Sequence, residues 1–322
     1  MRTDIKIANI TFGLFLDECI ARYFYKRVPK IEKKLSKTPD VKIICNKQEK
    51  LSFTDTKFLH QQEPDIEDQF YYREIFDLGI FKYRRKEKTL DISYINTNEY
   101  PYDSFEVVVD TLLQFIYLIM LDFDIIPLHT SVVTYGDKAL LLFGDSGSGK
   151  TTLELSLLGS GFQFFSDDIA FLTQDNFIYS SGEQVVAYSK NTGDILNNCF
   201  NTDSYHDTFN DMTRKHIVNV QASLICHYQK VNPFIIIFPT LSEDDQELLE
   251  IVSAKSAWLE LIRLSISEKF SSLQKQLYMK RLKSLSGSAI SFRYFRTNKK
   301  ETRLKEICDE IKTFCITQEG AL

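Results

Sequence analysis

No Cys-x-x-Cys pair occurs in the sequence, and its six cysteines, Cys19, Cys45, Cys199, Cys226, Cys308 and Cys315, are scattered along the chain. That excludes the disulfide framework of a small secreted domain and leaves reduced, mostly buried thiols. Basic stripes are also missing. A net charge of -5 spread through the sequence excludes a general nucleic-acid or acidic-membrane binder. The short runs Arg84-Arg85-Lys86 and Lys299-Lys300 read as solvated surface. Met1 to Ile10 carries Arg2, Asp4 and Lys6 in place of an apolar export segment. The most apolar stretch, Val107 to Leu121, is interrupted by Asp110 and followed by Asp122 and Asp124. It falls short of the roughly 20 residues that span a bilayer, so the expectation is a cytoplasmic chain. His60, His206, His216 and His227 stand at no metal-ligand spacing to Glu or Cys, so no zinc site is expected. Neither a Gly-x-Ser-x-Gly elbow nor a His-Arg-Asp catalytic loop is present, and no repeat is found.

What the 322 residues do contain is a 43% hydrophobic content, enough for a full core in one large domain with an appendage or in two domains. Residues 1–103 read as an α+β lobe, rich in charge and aromatics, with Leu90-Asp91-Ile92-Ser93-Tyr94 alternating like a half-exposed strand. This lobe is a candidate for substrate recognition. Its aromatic segment from Phe70-Tyr71-Tyr72 to Phe76 is readable as core or as a recognition surface. The turn-forming Asn96-Thr97-Asn98, with Pro101 and Tyr102 behind it, sets the expected boundary, and residues 104–322 form the second domain.

In that domain Leu112, Phe115, Ile116, Ile119 and Met120 recur at helical spacing and predict a buried helix. A hairpin about Tyr135-Gly136-Asp137 leads into the apolar run Ala139 to Phe143. A helix from about Lys150 stops at Gly159-Ser160-Gly161, and Phe162 to Phe165 reads as a strand. Further on, Pro233 to Pro239 predicts a buried strand bounded by its prolines, and Ser253 to Ile266 a helix. Ala289 to Phe295 predicts another strand, followed by a terminal helix from about Thr302.

The segment between the apolar run and the helix, Gly144-Asp145-Ser146-Gly147-Ser148-Gly149-Lys150-Thr151, matches the phosphate-loop pattern in full and in the required strand-to-helix context. A triphosphate needs several converging backbone N–H donors, which glycine conformations allow, and the helix amino terminus adds positive potential. The cofactors expected are ATP and Mg²⁺. Gly144 to Thr152 would form the nucleotide cradle, Lys150 would bridge the β- and γ-phosphates, and the Thr151 hydroxyl would hold the metal. Ser166-Asp167-Asp168, at the end of the next strand, supplies the carboxylates such a site requires, one for the metal and one as a base. His129, on the strand before the hairpin, is by spacing alone either a core histidine or a site residue.

From Leu128-His129-Thr130 through the glycine-rich loop to Ser166-Asp167-Asp168 the sequence resembles the catalytic core of the HPr kinase/phosphorylase family. That family is similar to the nucleotide domain of ATP-dependent phosphoenolpyruvate carboxykinase, so the resemblance implies an α/β core with a mixed sheet. It further implies Lys150 as the phosphate-binding lysine, Thr151 and Asp167 as metal ligands, Asp168 as the proton acceptor, and His129 as a site residue. Asp167 and Asp168 can exchange roles. The Glu-Ile-Arg-Gly-Leu-Gly-like segment of bifunctional members has no counterpart in the polar region from Ser181 to Asn198. The likeness therefore leads toward diverged members, among them kinases that modify ribosomally made peptides such as lasso-peptide precursors on a serine hydroxyl. Arg214 and Lys215, or Arg263, are candidates for an extra phosphate-directed charge.

The expectation is an ATP- and Mg²⁺-dependent kinase acting on a serine hydroxyl of a peptide or protein, with neither nucleic acid nor membrane as partner. A kinase for a small molecule such as an amino acid or sugar, and a non-catalytic ATP-dependent regulatory module, are the alternatives. A homo-oligomer stays open.

Overall fold

The computed structural model describes residues 3–28, 38–48, 51, 70–75, 78–95, 104–188, 208–210, 215–242, 247–267, 270–297 and 303–318. The chain divides into two compact units, Met1–Ile119 with Ser267–Ser272, and Met120–Ile266 with Leu273–Leu322.

The first unit contains β1 (Thr3–Ile7), β2 (Ile10–Phe15), α1 (Glu18–Arg27), β3 (Val41–Lys47), β4 (Phe70–Ile75), β5 (Gly79–Arg84), β6 (Thr89–Tyr94) and α2 (Ser104–Met120). Its strands form one sheet in the order β1-β2-β3-β6-β5-β4, with β2, β3 and β6 parallel and the other pairs antiparallel. Asp17 starts α1 by accepting the N–H groups of Cys19 and Ile20 at 3.0 and 3.1 Å, satisfying two donors the helix itself leaves open. Leu90, Ile92 and Tyr94 of β6 are buried on the face that the alternating pattern assigns to them. The aromatic segment from Phe70 forms the backbone of β4, and Phe76 lies outside the described residues.

Helix α2 continues through a 3₁₀ turn, so that Ser104–Phe123 reaches 20 residues and is long and apolar enough to cross a membrane. Length alone therefore does not identify it as a core helix. Burial does: Val108, Leu112 and Ile116 are fully buried, Phe115 stacks on Phe81 of β5 at 5.2 Å, and Asp110 pairs with Arg27 of α1. These contacts place α2 with the first unit, so the division falls after Ile119, whereas the turn cluster at Asn96 to Asn98 places the expected boundary before the helix.

The second unit continues with β7 (Ile126–His129), β8 (Ser131–Tyr135), β9 (Lys138–Leu142), α3 (Lys150–Gly159), β10 (Gln163–Ser166), β11 (Ile169–Leu172) and β12 (Ile178–Ser180). Strands β13 (Val185–Tyr188), β14 (Thr208–Asn210) and β15 (Lys215–Asn219) form a small antiparallel sheet. Next come β16 (Lys230–Leu241), β17 (Leu248–Val252), α4 (Ala254–Ser265), α5 (Ser272–Ser288), β18 (Ile290–Arg296) and α6 (Leu304–Thr317). The main sheet has nine strands in the order β10-β8-β9-β16-β12-β11-β7, with β18 also on β16 and β17 on β18. Strands β9, β16 and β18 run parallel and the remaining pairs antiparallel, which makes the unit mixed α/β. Leu140, Leu142, Ile235, Ile237, Phe292 and Tyr294 pack under Leu153 and Leu157 of α3 and Ile307 and Ile311 of α6. Deep burial of this apolar surface is the main force holding α3 and the loop before it on the sheet.

Two features depart from the sequence expectation. Strand β16 has 12 residues and includes both prolines instead of ending at them. Pro233 sits where the register with β9 shifts, and Pro239 lies beyond the last β9 pair, Ile237 with Leu142, so neither missing N–H breaks that ladder. Helix α5 has no counterpart in the sequence reading, because only Tyr278, Leu282 and Leu285 carry its apolar contacts within a polar segment.

Candidate active site

Strand β9 ends at Leu142, and the chain then loops from Phe143 to Gly149 before α3 begins at Lys150. Gly149 caps the helix at φ 107° and Gly147 sits at φ 81°, conformations that side chains other than glycine rarely adopt. At Gly144 an added Cβ would run into the Ser148 hydroxyl and come within 3.4 Å of the Pro239 carbonyl, so the loop closes tightly on the end of β16. The first N–H groups of α3 have no intrahelical acceptor and carry the positive end of the helix dipole, a setting that favours an anion. The Lys150 amine donates to the carbonyl of Gly144 and, at 3.4 Å, to that of Asp145.

Asp145 ties this loop to α4. Its carboxylate accepts a 2.8 Å bond from Arg263 of α4, which also bonds Glu260 at 2.8 Å. The Arg263 bond holds the Asp145 carboxyl below its ordinary range, and Glu260 and Asp145 together raise the guanidinium. Of the three cations considered from sequence, Arg263 thus reaches the loop through Asp145. Arg214 lies outside the described residues, and Lys215 is described as backbone in β15.

The acidic pair is positioned by strands that part company. Strand β7 pairs with β11 and β8 pairs with β10, so the chain breaks between sheet arms at Thr130 and again at Asp167-Asp168. At that split Ile169 lies opposite His129. Asp168, at φ 63°, accepts the Thr130 N–H with its carbonyl at 3.1 Å. His129 Nδ1 lies 3.1 Å from the same carbonyl and 3.3 Å from Asp168 Oδ1, with both side chains half-exposed or more. Asp167 Oδ1 accepts the Ser131 hydroxyl at 2.7 Å and the Asp168 N–H at 2.8 Å. Asp167 is thereby fixed in orientation, whereas Asp168 faces solvent beside His129.

Glu154, Ser131 and Arg296 are three residues of this region that sequence reading missed. Glu154 is fully buried in α3, and neither of its oxygens makes a well-formed hydrogen bond among the described residues. Its neighbours are Asp167 and Ser131, and burial, followed by the Asp167 charge, pushes its carboxyl well above the ordinary value. The readable signal was a lone Glu among the helix's buried leucines. Glu154 follows Lys150 by one helical turn, so the two positions share one face of α3. Arg296, the last residue of β18, lies against Gly149: a Cβ there would meet its Cδ and Nη1 at 2.7 Å.

The protonation of Glu154 has a stability consequence. The folded protein keeps this proton at pH values where the unfolded chain, with an ordinary Glu near 4.5, has lost it. The folded state then binds more protons than the unfolded one, so this group's contribution to stability falls as pH rises above about 4.5. Glu154→Gln keeps the shape and a donor toward Asp167 while removing the titration. Without divalent cations, the variant is expected to match wild type near pH 4 and to melt a few degrees higher at pH 8. Thermal melts at the two pH values check this, and a variant melting below wild type at pH 8 contradicts it.

Among the described residues, no group of three or more His, Cys, Asp or Glu side chains forms a ready-made metal cage. Thr151 and Asp167 carry oxygen donors of the kind Mg²⁺ takes, an ion commonly held by one or two protein oxygens together with phosphate and water. A cleft of about 540 Å³ is lined by Gly144 to Ser148 of the loop and by Phe238, Leu241, Arg263, Arg293 and Phe295.

No family model matches the chain, and no curated protein matches it. Among solved structures, the Hpr(Ser) kinase/phosphatase from Coxiella burnetii is similar to it, with a TM-score of 0.32 and 12% sequence identity over 61% of this chain and 93% of that one.

Proposed function

We propose that the chain is an ATP- and Mg²⁺-dependent phosphotransferase that transfers the γ-phosphate to a hydroxyl, that of a serine in a peptide or protein. The observation that carries this reading is the shared face of α3. Lys150 and Glu154 stand one turn apart on it, and Glu154 meets Asp167, so an anion-binding loop and a strand-end acidic pair serve one space. A bare anion site has no use for the second half of that arrangement. The serine acceptor is supported by the sequence resemblance to diverged HPr kinase/phosphorylase-family members.

Within this reading Lys150 leaves the loop carbonyls and binds the β- and γ-phosphate oxygens, while the N–H groups opening α3 hold the β-phosphate. Thr151 and Asp167 would hold Mg²⁺, which would supply neutralisation of phosphate charge. Asp168 takes the proton of the acceptor hydroxyl as its oxygen bonds to the γ-phosphorus, the bond to the β,γ-bridging oxygen breaks, and ADP leaves. His129, beside Asp168, orients that carboxylate. Ser131 holds Asp167 in place.

Incubating the protein with γ-labelled ATP and Mg²⁺ in a bacterial lysate tests the reading. A labelled peptide or protein with phosphoserine supports it. A labelled metabolite formed with no peptide present moves the acceptor to a small molecule. ATP binding with nucleotide-dependent conformational change and no labelled product favours a regulatory module.

A further inference from the structure

We propose that Arg296 is a second phosphate-contacting cation of this site, acting beside Lys150. The inference rests on the nucleotide reading of the loop and adds a residue to it. Leu142, Ile237 and Phe292 stand level across β9, β16 and β18. Arg296 lies four residues farther along β18, about 13 Å at ~3.3 Å per residue, which carries it past the rim where β9 gives way to the loop. Phe292 and Tyr294 face the core beneath α3, and the period of two puts Arg296 on that same face, at the helix's amino-terminal end.

At that end Gly149 leaves the room the arginine needs. Its missing Cβ would stand 2.7 Å from both Cδ and Nη1 of Arg296, so the stem and one guanidinium nitrogen lie directly on the peptide that opens α3. The N–H groups of that turn are the ones that collect an anion. A guanidinium placed there presents a planar fork of donors that grips phosphate oxygens in pairs, whereas Lys150 acts as a compact point charge. Two cations of different geometry and a helix end converging on one loop match a polyanion better than a single phosphate.

The competing role is mechanical, with the arginine stem only propping the loop over Gly149. Arg296→Met keeps most of the stem without charge, and Arg296→Lys keeps the stem and a charge. Binding of Mg-ATP is measured by titration calorimetry for wild type and both variants, alongside melting of the nucleotide-free proteins. The expected result is binding weakened about tenfold to a hundredfold in Arg296→Met, a large part of it restored in Arg296→Lys, and a shallower salt dependence in the Met variant. Equal binding by Arg296→Met and wild type overturns the proposal alone. Equal weakening in both variants, with a lowered melting temperature, assigns the propping role and overturns it too. Wild type that binds no nucleotide overturns the reading of the loop and the proposal with it.

Discussion

Asp168→Asn is expected to lower phosphoryl transfer by about 10² to 10⁴-fold while leaving Mg-ATP binding within a few-fold of wild type, the size of effect associated with a positioned general base. Asparagine is a sharp probe here because it changes little else. Asp168 stands at φ 63°, a left-handed conformation that Asn tolerates as readily as Asp. Its carbonyl, which holds Thr130 and His129, is unaffected by the change, and the Asn side-chain oxygen can replace Oδ1 toward His129. What disappears is the capacity to take a proton. Transfer measured with the labelled product and affinity measured by calorimetry separate the outcomes. Loss of both together would assign Asp168 to the metal and move the base to Asp167. That exchange is disfavoured by the two hydrogen bonds that already fix Asp167 Oδ1.

Lys150→Met is expected to weaken Mg-ATP binding by about tenfold to a hundredfold, the range for losing a hydrogen-bonded charge, and to abolish detectable transfer. The fold should survive. The Lys150 amine bonds two carbonyls of its own loop, at a partly exposed site where water can replace it. The core beneath α3 depends on Leu153 and Leu157, not on Lys150. A melting temperature near that of wild type, with binding lost, is the predicted pair of results. Retained affinity would mean that Mg-ATP binds without the lysine and would overturn the role of Lys150 as a phosphate-binding cation.

The parts of the site that lie close together in sequence were legible without coordinates. The glycine-rich loop, its preceding strand and its following helix occur where the pattern places them, because strand, turn and helix signals there agree with one another. Asp167 and Asp168 likewise occur at a strand end. His129 was ambiguous for a physical reason: its value depends on lying opposite Ile169, and strand pairing across forty residues has no signature in local sequence. Arg263 could be suspected only as one cation among several, since its bond to Asp145 spans 118 positions. Glu154 and Arg296 gave still less. One reads as an ordinary helix glutamate and the other as a charged strand end, until burial and the open face of Gly149 give them their neighbours.

The sequence by itself determined the local chemistry of this protein: which backbone can cradle an anion, which lysine follows it, and which carboxylates end the next strand. Those features depend on conformational preferences of a few consecutive residues, chiefly glycine's freedom at φ 107° and the unbonded N–H groups of a helix start. Tertiary structure alone decided how the pieces face each other. The split of β7 and β8 onto different sheet arms brings His129 to Asp168, and the parallel run of β18 beside β16 carries Arg296 to the loop. Such meetings are fixed by sheet register and by burial of a shared apolar core, sums over many distant residues that no short stretch of chain records.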